Sequence, residues 1–222
     1  MAVDGREAII FLDNHSIQVY EDDKIFKYDI PTNIVRDFEV KDRSGFDTLL
    51  DTLIKNQKLT PANLWIVLAD SVCFSTSIEK ADQAKMDLDV KDFLEAIPFE
   101  EIVSKKYSVS TGIWIAATNL QTIEAVGEVF ERNGFVFQGV VPTAIFANYS
   151  MAKVLDSKFA KIILANQSLM MSSNLLQRVE SVKPIPQTAP AAPKKNNLLP
   201  YLLIGFGVLL AILIAMLALR KG

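Results

Sequence analysis

The most constraining feature of the sequence is a long apolar segment close to its C-terminal end. Residues 198–219 are 22 consecutive residues without a charged side chain. An α-helix rises about 1.5 Å per residue, so a helix of this length crosses the roughly 30 Å of hydrocarbon in a bilayer. The sequence therefore predicts one transmembrane helix, and membrane lipid is the first partner that it implies.

A proline-rich segment separates this predicted helix from the rest of the chain. Residues 184–197 contain four prolines and no Leu, Val, Phe or Met. A segment of this composition buries little apolar surface and tends towards extended polyproline conformations. The sequence therefore predicts three zones: a globular domain at residues 1–183, a linker at residues 184–197 and a transmembrane helix at residues 198–219.

Three small residues lie on one face of the predicted transmembrane helix. Gly207, Ala211 and Ala215 are spaced by four, which places them above one another on a helix. Small side chains let two membrane helices approach closely, so this face predicts a homodimer that pairs through the membrane helix. The alternative is that these residues face lipid, and the sequence leaves both open.

The orientation of the chain is predicted from its charges and its first residues. Lys194 and Lys195 flank one end of the apolar segment and Arg220 and Lys221 flank the other, so the positive charges nearly balance. The first residues show no basic region followed by an apolar run, as a secretory signal would. We therefore expect a tail-anchored, single-pass protein of the cell membrane whose N-terminal domain is cytoplasmic.

The charge of the globular zone excludes one class of partner. Residues 1–183 carry 19 Lys or Arg and 26 Asp or Glu, a net charge of −7. Proteins that bind a phosphate backbone concentrate positive charge on one face. We therefore expect no nucleic acid among the partners.

Hydrophobic patterns in the first half alternate between strand and helix. An apolar run at residues 8–12 and alternating runs at residues 16–20 and 24–29 predict a three-stranded meander. An apolar stripe that begins near Ser44 predicts a helix, with Ser44 and Asp47 as its capping pattern. Strands are predicted at residues 64–69 and 72–78, the first of them in the interior of a sheet.

The second half continues this alternation, so the fold class is predicted to be α/β. Helices are predicted at residues 87–96 and 120–133, the second with a capping box of Thr118 and Gln121. Strands are predicted at residues 112–118 and 135–141. Pro142 is placed to begin a further helix that ends near Leu155. The runs at residues 160–165 and 175–182 predict a hairpin.

The sequence offers little catalytic or metal-binding chemistry. It has one Cys and one His, too few for a zinc site, and no glycine-rich phosphate loop. His15 and Cys73 could form a nucleophilic pair, but the simpler interpretation is a loop histidine and a buried thiol. Asp70 and Ser71 follow a predicted strand, where sites of α/β sheets often lie, although a plain turn explains them as well.

Several collinear segments resemble one protein family. These segments are Ile30–Pro31 with residues 35–42, residues 64–78, residues 93–100, residues 113–134 and residues 140–144. They are similar to segments of the PilM and GspL group, the cytoplasmic actin-like proteins of type IV pilus and type II secretion platforms. The resemblance covers about residues 7–155. It implies an actin-like (ribonuclease H-like) first half with a small inserted α/β subdomain at about residues 80–140.

The sequence departs from this family at the nucleotide site. In an actin-like ATPase, the loop after the first strand brings an acidic residue and a glycine against the phosphates. Here Asp13, Asn14 and Ser16 stand at that position without the glycine, so the resemblance implies a degenerate site. Residues 156–183 replace most of the second half, with at most a remnant hairpin around residues 165–168. We therefore expect a truncated, non-enzymatic member that needs no ATP or Mg²⁺.

The function implied by the resemblance is that of a scaffold. We expect a membrane-anchored, non-catalytic protein that docks other inner-membrane platform proteins of a pilus or secretion machine. Ile97, Pro98 and Phe99 are the candidate docking residues, unless the Phe packs under the subdomain. Two alternatives stay open: a weak ATP-binding protein or ATPase that uses Asp13 with Mg²⁺, and a generic tail-anchored adaptor unrelated to pili.

Overall fold

The structure, a computed structural model, describes residues 5–149 and 151–177, and it confirms the α/β class. Its strands are β1 (Glu7–Leu12), β2 (Ser16–Glu21), β3 (Lys24–Asp29), β4 (Val35–Arg36), β5 (Glu39–Val40), β6 (Asn63–Leu68), β7 (Phe74–Glu79), β8 (Ile102–Val109), β9 (Gly112–Asn119) and β10 (Val136–Pro142). Its helices are α1 (Arg43–Gln57), α2 (Gln83–Glu95), α3 (Leu120–Arg132), α4 (Ser157–Ala165) and α5 (Gln167–Ser173).

The main sheet has five strands in the order β10-β6-β1-β2-β3. β1, β2 and β3 pair antiparallel, as the predicted meander requires, while β6 is parallel to both β1 and β10. Ile66 lies beside Ile10 on one side and beside Val140 on the other. β6 is therefore an interior strand, as predicted, and its apolar run reflects burial on both faces.

α1 and α3 cover the first face of this sheet. Strand residues such as Ile10 and Leu64 point towards this layer and are fully buried with Leu50, Val126 and Phe130. The stripe predicted for α1 is the buried one, since Phe46, Leu50, Leu53 and Ile54 all point inward. This layer holds the larger hydrophobic core.

The caps of both helices differ from the predicted ones by one or two residues. The side chain of Asp42, and not that of Ser44, accepts the N-cap hydrogen bond of α1 from the backbone N–H of Gly45. In α3 the cap is Asn119, the last residue of β9, and its side chain accepts from Thr122 N–H. The Thr118 hydroxyl instead donates to the carbonyl of Val72 at 2.7 Å. Both predicted capping residues were therefore wrong, although each helix begins within two residues of the predicted start.

The second face of the main sheet is covered by residues after β10, where two predictions were wrong. Pro142 does not begin an α-helix, because it ends β10 opposite Leu68 and a 3₁₀ turn follows at Thr143–Ile145. The run at residues 160–165 is helical in α4 and forms no hairpin strand. Phe159, Ala160 and Ile163 of this helix pack on the face that Phe11 and Val67 present.

A second sheet is inserted between β6 and α3. It has three antiparallel strands in the order β7-β9-β8, and α2 packs on it through Val90 against Ile78 and Ile115. β8 has no counterpart among the predicted elements, because its lysines interrupt the apolar pattern. These elements occupy residues 74–119, whereas α3 belongs to the core of the main sheet.

The predicted linker and membrane segment lie outside the described residues. Residues 184–197, residues 198–219 and the pairing face of Gly207, Ala211 and Ala215 are all outside that part of the chain. No helix in residues 5–149 and 151–177 combines the length and the apolarity needed to cross a bilayer.

Candidate functional site

The predicted nucleotide-site residues form one tight turn between β1 and β2. Asp13 Oδ1 accepts hydrogen bonds from the backbone N–H groups of His15 (2.7 Å) and Ser16 (2.9 Å). Its other carboxylate oxygen accepts from the Ser16 hydroxyl at 2.6 Å. Both oxygens of Asp13 are therefore occupied inside the turn, an Asx-type arrangement that stabilises the hairpin.

A cavity of about 440 Å³ opens beside this turn. Because β1 and β6 are parallel, their carboxyl ends meet at the same edge, and Asp70 and Ser71 line the cavity together with Asp13. The structure thus brings together two features that the sequence analysis treated separately. Met151 and Lys153 complete the lining from the segment after β10, and no local sequence pattern pointed to them.

His15 and Cys73 do not form a reactive pair. His15 is exposed in the Asp13 turn, whereas Cys73 is buried. Burial, with a smaller contribution from the charge of Asp70, raises the pKa of the Cys73 thiol to about 12. A thiol with that pKa is protonated at neutral pH, so Cys73 is a core residue and not a nucleophile.

Within residues 5–149 and 151–177, no three or more His, Cys, Asp or Glu side chains are grouped as metal ligands would be.

The three predicted docking residues lie between α2 and β8, and they differ in exposure. Pro98 is exposed, but Ile97 is 7% exposed, so the expectation that it is available as a surface residue was wrong. Phe99 is half-buried, and its ring packs edge-on against Phe74 at 5.6 Å between centroids. The packing alternative, which concerned the Phe, thus describes part of Phe99.

These residues border a groove beside α2, here named the α2 groove. It has a volume of about 540 Å³, and its apolar lining consists of Val90, Leu94, Ile97, Phe99 and Ile102. Its charged lining consists of Asp87, Lys91, Glu95, Glu100 and Lys106. Residues 79–101, which contain α2 and its flanks, carry eight Asp or Glu and three Lys, a net charge of −5. The α2 groove is therefore apolar inside and acidic around its helix.

A further cluster, which the sequence analysis missed, fixes the last described residues. We name residues 172–175 the strap. Lys105 Nζ donates to the carbonyl of Ser172 at 2.7 Å, and the Tyr107 hydroxyl donates to the carbonyl of Ser173 at 2.8 Å. Burial lowers the pKa of Lys105 and raises the pKa of Tyr107 well above its usual range. The second sheet therefore holds the strap from one side.

The main sheet holds the strap from the other side. Asn174 Oδ1 accepts from Val140 N–H at 2.9 Å, and Leu175 N–H donates to the carbonyl of Val140 at 2.8 Å. Gly139 makes room for Asn174, since its φ is +155° and a Cβ there would lie 2.2 Å from Asn174 Nδ2. A glycine inside a strand pattern signals such a close approach and was the available sequence clue.

Comparison with known proteins finds similarity among solved structures. No family model and no curated protein matches the sequence. One matching structure is a PilM–PilN type IV pilus biogenesis complex, 13% identical with a TM-score of 0.44. Another is the cytoplasmic domain of EpsL, an inner-membrane component of the Vibrio cholerae type II secretion system, 14% identical with a TM-score of 0.39. A third is a Bacteroides thetaiotaomicron protein of actin-like ATPase fold and unknown function, 11% identical with a TM-score of 0.37.

The matches cover 65%, 64% and 65% of this chain, and 49%, 58% and 56% of the three structures. The chain therefore spans about half the length of the structures it matches. The first two are a pilus biogenesis complex and a component of a secretion system, the two kinds of machine to which the sequence segments were compared. At these identities and scores the similarity concerns the arrangement of elements and extends to no activity, substrate or partner.

Proposed function

We propose that this chain is a membrane-anchored, non-catalytic scaffold in the inner-membrane platform of a type IV pilus assembly or type II secretion machine. Its folded part lies on the cytoplasmic side and holds other platform proteins there. The collinear sequence segments support the kind of machine, and the uncharged residues 198–219 support the anchor. An anchor confines the domain close to other membrane proteins, so modest contacts give effective binding.

The turn at Asp13 carries the non-catalytic part of this proposal. A phosphate-binding loop aims backbone N–H groups at the phosphate and needs glycine for close approach. Here the N–H groups of His15 and Ser16 donate to Asp13, and residues 13–16 contain no glycine. The groups that would hold a phosphate are therefore satisfied within the turn.

A nucleotide titration tests this part. We expect isothermal titration of the detergent-purified full chain with Mg-ATP to show no saturable binding. Asp13→Ala is expected to lower the free energy of unfolding by about 1–2 kcal/mol, because the turn loses three hydrogen bonds. Asn14→Ala is the control, since it changes a neighbouring side chain of the same cavity. Saturable binding that Asp13→Ala abolishes in a folded protein would instead establish the ATP-binding alternative.

The α2 groove is the proposed docking surface. Its apolar lining offers the half-buried Leu94 and Phe99 to an apolar side chain. Its lining holds three carboxylates (Asp87, Glu95 and Glu100) and two lysines, so the excess of negative charge favours a basic partner. Leu88 is a further apolar residue of the same helix and is 55% exposed. The proposed occupant is a short peptide segment of a membrane partner that carries both apolar and basic residues.

Photo-crosslinking from the chain in its native cells tests the docking surface. A photoreactive residue at Glu100, in the lining of the α2 groove, is expected to capture an inner-membrane platform protein that mass spectrometry identifies. The matched control is Glu131, an exposed acidic residue on α3 on the first face of the main sheet. We expect at least about ten-fold less crosslinked product there, since a groove fixes its partner at contact distance.

The identity of the captured protein separates the alternatives. A pilus or secretion platform protein supports the proposal. A captured protein unrelated to these machines would establish the generic adaptor, and equal crosslinking at Glu100 and Glu131 would remove the α2 groove as the docking surface.

A further inference from the structure

The two helical layers on the main sheet differ in charge. α1 and α3 together carry five Asp or Glu and three Lys or Arg, a net charge of −2. Residues 151–177, here named the α4–α5 layer, carry Lys153, Lys158 and Lys161 against Asp156, a net charge of +2. Residues 5–149 carry 23 acidic and 14 basic side chains, a net charge of −9. The α4–α5 layer is therefore a positive region on an otherwise acidic domain.

Two of the acidic groups near these lysines have partners of their own. Asp156 is the N-cap of α4, and its Oδ1 accepts from Phe159 N–H at 2.7 Å. Lys161 pairs with Asp23 of the β2–β3 turn at 3.0 Å. Lys153 and Lys158 are exposed, and Lys153 also borders the cavity that Asp13 and Asp70 line. At least two lysines of the layer thus point positive charge towards solvent.

The same layer exposes apolar side chains. Among the described residues, eight large hydrophobic side chains are exposed, and four of them belong to this layer: Met151 (74%), Val154 (62%), Leu169 (37%) and Met171 (48%). None of the eight lies on α1 or α3. Basic and apolar side chains interspersed on one surface are typical of proteins that lie on anionic bilayers.

We infer that the α4–α5 layer lies against the anionic lipid surface of the membrane. The lysines attract phospholipid headgroups, and Met151, Val154, Leu169 and Met171 enter the interface between headgroups and acyl chains. The net charge of −9 on residues 5–149 repels the rest of the domain from the same surface, which orients it. This inference extends the proposed function, since an anchored domain is held within reach of the bilayer.

A fluorophore placed on the layer tests this orientation. The full chain is reconstituted into nanodiscs of phosphatidylcholine alone or of phosphatidylcholine with phosphatidylglycerol. An environment-sensitive dye is attached to Met171→Cys, or to Thr52→Cys on the exposed face of α1 as the control. The buried Cys73 does not compete for the dye in the folded protein. We expect a blue shift of the emission at position 171 in the anionic discs, and none at position 52.

Charge variants separate lipid attraction from other causes of a shift. The triple variant Lys153→Gln, Lys158→Gln, Lys161→Gln is expected to lose the shift, since each lysine at an anionic surface strengthens binding by about five-fold. The control triple Lys55→Gln, Lys80→Gln, Lys85→Gln removes the same charge from exposed positions elsewhere and is expected to keep it. About 1 M salt should abolish the shift in the unmodified layer.

The outcomes distinguish this inference from the proposed function. Failure of the full chain to enter neutral discs would refute the anchor, yet a shift in anionic discs would still support the lipid-facing layer. Equal emission at position 171 in both lipids, or a shift that survives the lysine triple, would overturn the inference while leaving the anchor intact.

Discussion

Gly139→Ala is expected to lower the free energy of unfolding by about 2–3 kcal/mol, because it drives a methyl group into the strap. The new Cβ would lie 2.2 Å from Asn174 Nδ2, and the φ of +155° is one that alanine rarely adopts. Relief requires Asn174 to move, which breaks its hydrogen bond to Val140 N–H. For a chain of this size we expect the melting temperature to fall by about 5–10 °C, measured by the fluorescence of Trp65 and Trp114.

A double-mutant cycle attributes this loss to the strap. Asn174→Ala alone leaves the Val140 and Leu176 N–H groups without the side-chain oxygen that they bond, and it is expected to cost about 1–3 kcal/mol. Gly139→Ala with Asn174→Ala removes the collision, so the pair should lose at least about 1 kcal/mol less than the sum. Gly127→Ala in α3 is the matched control, expected to change stability by less than about 1 kcal/mol. Strict additivity at positions 139 and 174 would contradict the assigned contact.

Phe159→Ala is expected to be the most destabilising core substitution in the second layer, by about 3–5 kcal/mol. Phe159 is fully buried at the centre of three aromatic contacts, with Phe11 (6.4 Å between ring centroids), Phe146 (5.4 Å) and Tyr149 (4.3 Å, stacked). Its removal leaves a cavity between α4 and the sheet that these neighbours cannot close. Chemical denaturation followed through Trp65, which belongs to the same cluster, measures the loss.

Leu169→Ala on α5 is the control for Phe159→Ala. Leu169 belongs to the same layer but is 37% exposed, so this substitution should lower the free energy of unfolding by less than about 1 kcal/mol. Comparable losses in both variants, or a Phe159→Ala protein as stable as the parent chain, would show that residues 157–173 do not cover the sheet as described.

The elements that the sequence predicted well have a strong local pattern. β1 and β6 are continuous apolar runs, β2 and β3 alternate, and α3 repeats with a helical period. Each of them presents one face or both to a core. β8 was missed because Lys105 and Lys106 interrupt its pattern, and Lys105 is there to bind the strap. A residue whose partner is about 67 positions away leaves no local signal at its own position.

The candidate sites show the same division. Asp13, Asn14 and Ser16 were identified as one site because they lie close together in the sequence. That both carboxylate oxygens of Asp13 accept hydrogen bonds within the turn depends on the geometry of that turn. Lys153 joins them from more than a hundred residues away, which only the fold reveals. Ile97 was wrongly predicted to be a surface residue, because nothing in the sequence around it indicates that its side chain is buried.

By itself, the sequence determined the α/β class, the meander, the acidic charge of the domain and the uncharged segment at residues 198–219, since period, charge and length are local properties of a chain. The tertiary structure determined which secondary structure residues 157–173 form. Their apolar run is compatible with a strand or a helix. They form helices because the second face of the main sheet would otherwise be exposed and needs a covering layer. The tertiary structure also determined that lysines and large apolar side chains of this layer are both exposed, because exposure is set by packing and not by sequence position.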